Sequence, residues 1–373
     1  MKVPFYSSVR EYNNRKKEFD DAIQSVISQG NFILGKQVVD FEGAIENYTG
    51  AKYAIGVASG TDALTIAADI LGFKDGKEVI TSPFTFLASA SCVLRNKGRV
   101  VFVDIDEETF SINADLIEEK INNNTVGILP IHLFDQMADM DRIMEIAKKH
   151  NLKVLEDAAE AFGMRWRGKG DTYKHSGTIG DFGIFSFFPT KTLGGYGDGG
   201  MIVTNDENLA SLSKSYRVHG ASKKYHYDYI GYNSRLDTLQ AAVLNVKLKY
   251  IDEAIKKREH VAKLYMENLK DCQHVRLPKI KHEQKGVYYV FNILAEKRDE
   301  LSLYLKENEI GYSIYYPMPL HLQKSFEHLG YKKGDFPVAE KVSQSIIALP
   351  IYPEITDDEV LYVCETIKKF YSR

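Results

Sequence analysis

The chain has 373 residues, with 48 Lys and Arg against 51 Asp and Glu, a formal charge of −3 that excludes a basic nucleic-acid footprint. A hydrophobic content of 44% beside 27% charged residues excludes disorder and suits a globular enzyme of about two to three domains. No apolar run approaches the roughly 18 residues of a membrane span, Met1–Ser8 lacks a signal-peptide core, and Cys92, Cys272 and Cys364 lie far apart, so neither a disulfide framework nor a zinc cluster is expected and the protein fits a reducing cytoplasm.

Seven short β-branched and apolar runs punctuate the first two-thirds of the chain: Ala54–Val57, Glu78–Thr81, Val100–Val103, Val126–Leu129, Lys153–Leu155, Gly183–Ser186 and Met201–Thr204. Most are about 20–30 residues apart, the spacing of crossover units in a mostly parallel sheet. The last two are close enough to include an antiparallel strand. Between them, Asp62–Ala68 and Asp141–Lys149 read as helices, the second with acid at its start and base at its end, as the helix dipole favours. The stretch from Thr204 to Asp237 reads as a long loop rich in Tyr225, Tyr227, Tyr229 and Tyr232, of the kind that is functional or part of an interface. Leu244–Leu269 reads as one long amphipathic helix. Beyond it, Val287–Phe291 reads as a strand, Arg298–Asn308 as a helix and Tyr312–Tyr316 as a strand. The expected class is α/β: a large domain, 1–245, around a mostly parallel seven-stranded sheet flanked by helices, and a smaller C-terminal α+β domain, 246–373.

Three segments carry chemistry. In Ser59-Gly60-Thr61-Asp62 a strand gives way to a helix, so free N–H groups and the positive helix end offer a phosphate seat, with Thr61 able to cap; the plainer reading is a capped helix alone. In Leu155-Glu156-Asp157 a strand delivers Asp157 at its carboxyl end, where open α/β sheets bind ligands and an ionised acid can hold a protonated heterocyclic nitrogen; a helix N-cap is the plainer reading. Third, Lys191 sits among aromatic and glycine residues with no carboxylate within six positions, a setting for a lowered pKa and imine chemistry, and Ser186 precedes it at a strand end. Gly195, Gly197 and Gly200 spell G-x-G-x-x-G, but they lead into a strand rather than a helix, so this is no dinucleotide fingerprint.

Taken together, Ala58-Ser59-Gly60-Thr61-Asp62-Ala63-Leu64, Pro83-Phe84-Thr85-Phe86, Glu156-Asp157-Ala158-Ala159, Ser186-Phe187-Phe188-Pro189-Thr190-Lys191, Gly197-Asp198-Gly199-Gly200 and Gly231-Tyr232-Asn233-Ser234-Arg235 resemble the DegT/DnrJ/EryC1/StrS sugar aminotransferases, over nearly the whole chain. The resemblance implies pyridoxal phosphate as cofactor, on the aspartate-aminotransferase fold. It makes Lys191 the imine-forming catalytic base and acid, and Asp157 the partner of the pyridinium nitrogen. Gly60, Thr61 and Ser186 would hold the phosphate and Phe86 would stack on the ring. Asn233 would reach the phosphate of a neighbouring subunit, which implies a homodimer with shared sites. Where relatives commonly carry Gln or His, this chain has Glu160, which either stays protonated or turns toward a sugar hydroxyl. His132 lies in a segment that borders the site in relatives, and the segments of His219 and His321 lie near the nucleotide-sugar there, so His219, Tyr315 and His321 are expected substrate contacts; for each histidine a satisfied core histidine is the alternative. Gly197–Gly200 is similar to the subgroup that aminates C-3. The resemblance therefore implies amino transfer from L-glutamate to C-3 of a dTDP-linked 3-keto-6-deoxyhexose, with UDP-linked 3-keto and 4-keto sugars as alternatives. A dehydratase of the same scaffold would carry His in place of Lys191, and a non-catalytic cofactor-binding regulator is the other class weighed.

Overall fold

The seven apolar runs form one sheet. Its strands are β1 (Tyr53–Val57), β2 (Glu78–Thr81), β3 (Arg99–Phe102), β4 (Thr125–Ile128), β5 (Lys153–Asp157), β6 (Phe182–Ser186) and β7 (Gly200–Thr204), in the order β1-β7-β6-β5-β4-β2-β3. The computed structural model describes residues 1–279 and 283–373. Every pairing from β3 through β6 is parallel. β7 runs antiparallel to both β1 and β6, so it is the antiparallel strand that the close spacing foreshadowed. The central strands are buried nearly end to end, as expected of a sheet covered on both faces.

Two helices place the site. α1 (Gly60–Ile70) follows β1, and α2 (Leu87–Arg95) follows β2. They pack on the sheet in the principal core with Ile55, Ile80, Val154 and Ile184. β5 and β6 pair with Asp157 opposite Ile184, so the carboxyl ends of the two central strands leave Asp157 and Ser186 on the same edge of the sheet.

The rest of the chain departs from the sequence reading in four places. The stretch 204–237 is not a bare loop: it holds α3 (Glu207–Tyr216) and a small hairpin, Ala221–Lys223 with His226–Tyr227. The single helix expected over Leu244–Leu269 is two, α4 (Thr238–Leu248) and α5 (Ile251–Leu269), and the expected boundary at 245/246 falls inside α4. Tyr250 parts them: its hydroxyl donates to the Glu18 carboxylate at 2.9 Å and its ring lies 3.3 Å from the Arg15 guanidinium, contacts made with a distant helix that periodicity does not reveal. The strand expected at Val287–Phe291 begins where that segment ends, at Phe291–Ala295, and pairs with Ile346–Leu349. Tyr312–Tyr316 is no strand; it makes one bridge, Ser313 to Ala348. α5 faces a second core of Val261, Tyr265, Phe291, Ile347 and Cys364, which also takes in Val3 from the N-terminal arm. Among the described residues no helix is long and apolar enough to cross a membrane, and no cluster of His, Cys, Asp and Glu could hold a metal.

Candidate active site

A cleft of about 610 Å³ opens at the carboxyl ends of β1, β5 and β6, and it brings Gly60, Thr61, Phe86, Asp157, Glu160, Ser186, Lys191 and Tyr315 together. At one end lies the start of α1. Ser59 is its N-cap and accepts from the Asp62 N–H at 3.1 Å, so Ser59, not Thr61, caps this helix. That leaves the first-turn N–H groups at Gly60 and Thr61 aimed at the cleft, the usual anion seat. Gly60 is required there: a Cβ on it would lie 2.7 Å from the Ser186 Cβ. The strand end and the helix start therefore touch, and only hydrogen fits between them.

Asp157 lies deeper, 4% exposed. Its Oδ1 accepts from the Ala159 N–H at 3.1 Å and its Oδ2 from the Ser89 hydroxyl at 2.7 Å. Burial pushes this carboxyl up, while Ser89, the Ala159 N–H, Lys191 and His132 pull the other way. A buried carboxyl held in this fashion is settled by a cation brought into the cleft.

Lys191 faces Asp157 from the loop after β6. Its Nζ lies 3.2 Å from Glu160 Oε1 and 4.4 Å from the centre of the Tyr289 ring. Burial alone would lower this amine; Glu160 and Tyr289 outweigh it, and the net shift is upward. So Glu160 is neither apart from the lysine nor turned to solvent; its second oxygen accepts from the Phe134 N–H at 3.4 Å. Phe86 is 59% exposed and lies against Tyr316 with ring centres 6.5 Å apart; Tyr315 lines the same end, its hydroxyl pushed up by burial.

Four named residues fall elsewhere. His132 is a satisfied core histidine: Nε2 meets Glu156 Oε2 at 2.8 Å, and Nδ1 accepts from the Ala138 N–H at 3.3 Å. His321 is also buried, 2% exposed, with Nε2 bonded to Glu340 at 3.0 Å and its ring against Phe336, so its position in the chain did not aim it into the cleft. His219 is exposed, in a left-handed turn before the hairpin. Asn233 is exposed too and lines a neighbouring polar cavity that meets the cleft at Ser59 and Asp198. Among the four tyrosines of the aromatic stretch, Tyr232 is structural, its hydroxyl bonded to Asp69 and Asn96, whereas Tyr225, Tyr227 and Tyr229 are exposed with Ile230. Sequence reasoning missed Ser89 and Tyr289. Ser89 lies 68 residues from the acid it touches, and Tyr289 lay in a segment read as an ordinary strand.

The arrangement suits a flat molecule with three handles: an anionic group for the α1 start and Ser186, a protonatable ring nitrogen for Asp157, and a carbonyl for the amine of Lys191. Pyridoxal phosphate has all three. The comparisons with known proteins agree. The model of the DegT/DnrJ/EryC1/StrS aminotransferase family matches residues 13–368. A pleiotropic regulatory protein of Geobacillus stearothermophilus is 43% identical over 373 residues, covering 100% of this chain and 99% of that protein. The dTDP-3-amino-3,6-dideoxy-alpha-D-galactopyranose transaminase of Aneurinibacillus thermoaerophilus is 39% identical, covering 99% of each. Among solved structures, S. venezuelae DesV in complex with a ketimine intermediate superposes with a TM-score of 0.96 at 34% identity, over 100% of this chain and 99% of that one. The chain belongs to the DegT/DnrJ/EryC1/StrS aminotransferase family, and it is a pyridoxal-phosphate-dependent sugar aminotransferase.

Proposed function

We propose that this enzyme moves the amino group of L-glutamate to C-3 of a dTDP-linked 3-keto-6-deoxyhexose, giving a 3-amino-3,6-dideoxyhexose and 2-oxoglutarate. The observation that carries the reading is the shared cleft of Lys191 and Asp157, which Tyr315 and the exposed Phe86 also line. The bound cofactor supplies the electron sink and stores the amino group between the two half-reactions. Each side chain then has one task. Asp157 holds the ring nitrogen protonated. Gly60, Thr61 and Ser186 hold the phosphate, and Phe86 covers the ring. Lys191 Nζ takes the proton from the α-carbon of glutamate and, in the second half-reaction, delivers one to the carbon of the sugar that receives nitrogen. Glu160 holds Lys191 Nζ until the cofactor and donor arrive.

The choice of C-3 and of dTDP is supported by the Gly197–Gly200 loop and by the Aneurinibacillus relative. A UDP-linked 3-keto sugar and a 4-keto sugar are the competing acceptors. A homodimer is supported by the exposed Asn233 beside the cleft and by the apolar Phe32, Ile33, Leu34, Leu87 and Phe188 on the surface; in it Asn233 serves the partner's phosphate. The name of the 43%-identical relative favours a second reading, a cofactor-binding regulator.

The test is direct. Purified protein should be yellow and bleach with L-glutamate, and borohydride reduction with peptide mapping should place the cofactor on Lys191. Turnover of dTDP-linked 3-keto against 4-keto sugars, with the product read by NMR, decides the acceptor. Yellow protein that bleaches with glutamate but aminates only the 4-keto sugar would overturn the C-3 choice, and no transfer to any keto sugar would favour the regulator.

A further inference from the structure

The segment Val287–Tyr289 crosses behind the cleft and is gripped from both polar sides. On its N–H side sits Asp135, 2% exposed, whose Oδ1 accepts from Val287 N–H and from Tyr288 N–H at 2.7 Å. On its carbonyl side sits Arg258 of α5, also 2% exposed, whose Nη1 donates to Tyr288 O and Tyr289 O at 3.2 Å and to Ile351 O at 3.0 Å. Among the described residues neither side chain has an oppositely charged side chain bonded to it; Asp135 Oδ1 and Arg258 Nη1 bond only to backbone. Gly286 permits the approach, because a Cβ there would lie 2.0 Å from Asp135 Oδ2. Asp135 is itself fixed by its carbonyl, which accepts from Gln284 Nε2 at 2.7 Å. The product of the grip is the placement of Tyr289. Its hydroxyl meets Thr190 Oγ1 at 3.2 Å, and its ring face lies 4.4 Å from Lys191 Nζ. The residue before Asp135 donates to Glu160, the other neighbour of Lys191 Nζ. One turn, Leu133–Gln136, thus reaches both groups that bracket the lysine.

We propose that Asp135 and Arg258 are positioning residues that clamp the Val287–Tyr289 segment and so hold the Tyr289 ring against Lys191, making Tyr289 a determinant of the charge state of the reacting amine. The proposal rests on Lys191 being the cofactor-bearing residue. A ring face at this distance stabilises a positive nitrogen, and more strongly in a desolvated site. A buried acid and a buried guanidinium that bond only to backbone would be a poor choice for stability alone, since an apolar pair often does as well. The charged groups facing Asp135 are Arg258 and Glu259, both on α5; those facing Lys191 are Glu160 and Asp157.

The experiment uses the full-length holoenzyme and titrates the visible absorbance of bound pyridoxal phosphate against pH. Tyr289→Leu should lower the midpoint by about 0.5–1 pH unit and lower kcat with little change in the KM for glutamate. Tyr289→Phe keeps the ring and should titrate within about 0.2 unit of wild type. Asp135→Gly removes the carboxylate while tolerating the left-handed backbone at this position (φ 66°), and should shift the midpoint in the same direction as Tyr289→Leu. Combined with Tyr289→Leu it should add nothing, because both act through one ring. Binding of pyridoxamine phosphate, which has no aldehyde for Lys191, should stay within about twofold in every variant and reports a folded site. Should Asp135→Gly fail to fold, Arg258→Met makes the same comparison. A yellow wild type that bleaches with glutamate, beside Tyr289→Leu or Asp135→Gly protein that titrates as wild type or a double variant whose shifts add, overturns the clamp alone. A wild type whose cofactor maps to a residue other than Lys191 overturns the site assignment beneath it.

Discussion

Gly60→Ala tests the phosphate seat at its narrowest point. The added Cβ would stand 2.7 Å from Ser186 Cβ and 3.1 Å from Ser186 Oγ, whereas carbon atoms pack at about 3.5–4.0 Å. About 1 Å of relief must come from moving the start of α1 away from the end of β6, the two elements between which a phosphate would be held. Strain of this kind typically costs about 1–3 kcal/mol. If the strain is released by opening the seat, that energy appears as lost affinity, a dissociation constant raised about 5- to 150-fold. Pyridoxamine phosphate is the right probe, since it reports the seat without the covalent link to Lys191, and calorimetric titration of the cofactor-free protein measures it. Gly43→Ala is the control: nothing lies within 4 Å of its Cβ and it sits in a helix, so binding should be unchanged and stability should rise by up to about 1 kcal/mol. Gly60→Ala protein that melts like wild type and binds within twofold of it would refute the placement of the phosphate between Gly60 and Ser186.

Two further outcomes follow from the electrostatics. Glu160→Gln removes the nearest charge that holds Lys191 as an ammonium, so burial then dominates and the amine loses its proton more readily; the pH for half-maximal rate of cofactor capture should fall by about 1 unit or more, and an unchanged stopped-flow profile would show that the carboxyl does not govern the lysine. Burial pushes Asp135 up to about 7, against the pull of the Val287 and Tyr288 N–H groups. A carboxyl raised on folding contributes stability that is present below its unfolded value and lost as pH rises through its folded one, here from about 4 to about 7. Asp135→Asn, which also tolerates a left-handed backbone, should therefore gain on wild type across that window, by up to about 4 kcal/mol in urea melts. A difference flat from pH 4 to 8 would place the Asp135 proton elsewhere.

How far the sequence carries depends on whether a constraint is local. The sheet was legible because parallel strands buried on both faces must be apolar throughout, and the seven runs have nowhere else to go. Asp157 and Ser186 were legible because a strand end fixes where its last side chains stand. Lys191 stood out as a lysine without charged neighbours in sequence, but the lowered pKa expected of it is overturned, because Glu160 pairs with it across 31 residues and the net shift is upward. What stayed hidden depends on contacts across the chain. Tyr250, where the helix breaks, bonds Glu18 from a distant part of the chain, and buried His321 bonds Glu340 through Nε2. Ser89 and Tyr289 have no motif of their own; each acquires its role from the residue it meets. The Leu133–Gln136 turn sharpens the point. Phe134 and Asp135 both hold left-handed backbone, at φ of 53° and 66°, a conformation that an aromatic residue adopts at a cost of about 1–2 kcal/mol. A glycine at 134 would remove that cost and leave the N–H to Glu160 in place. It would also delete the buried ring that packs against Phe84 and against Tyr316, which lines the cleft. The chain thus keeps a strained residue where both its backbone and its side chain are needed, and such a compromise between local preference and site geometry is visible only once the contacts are known.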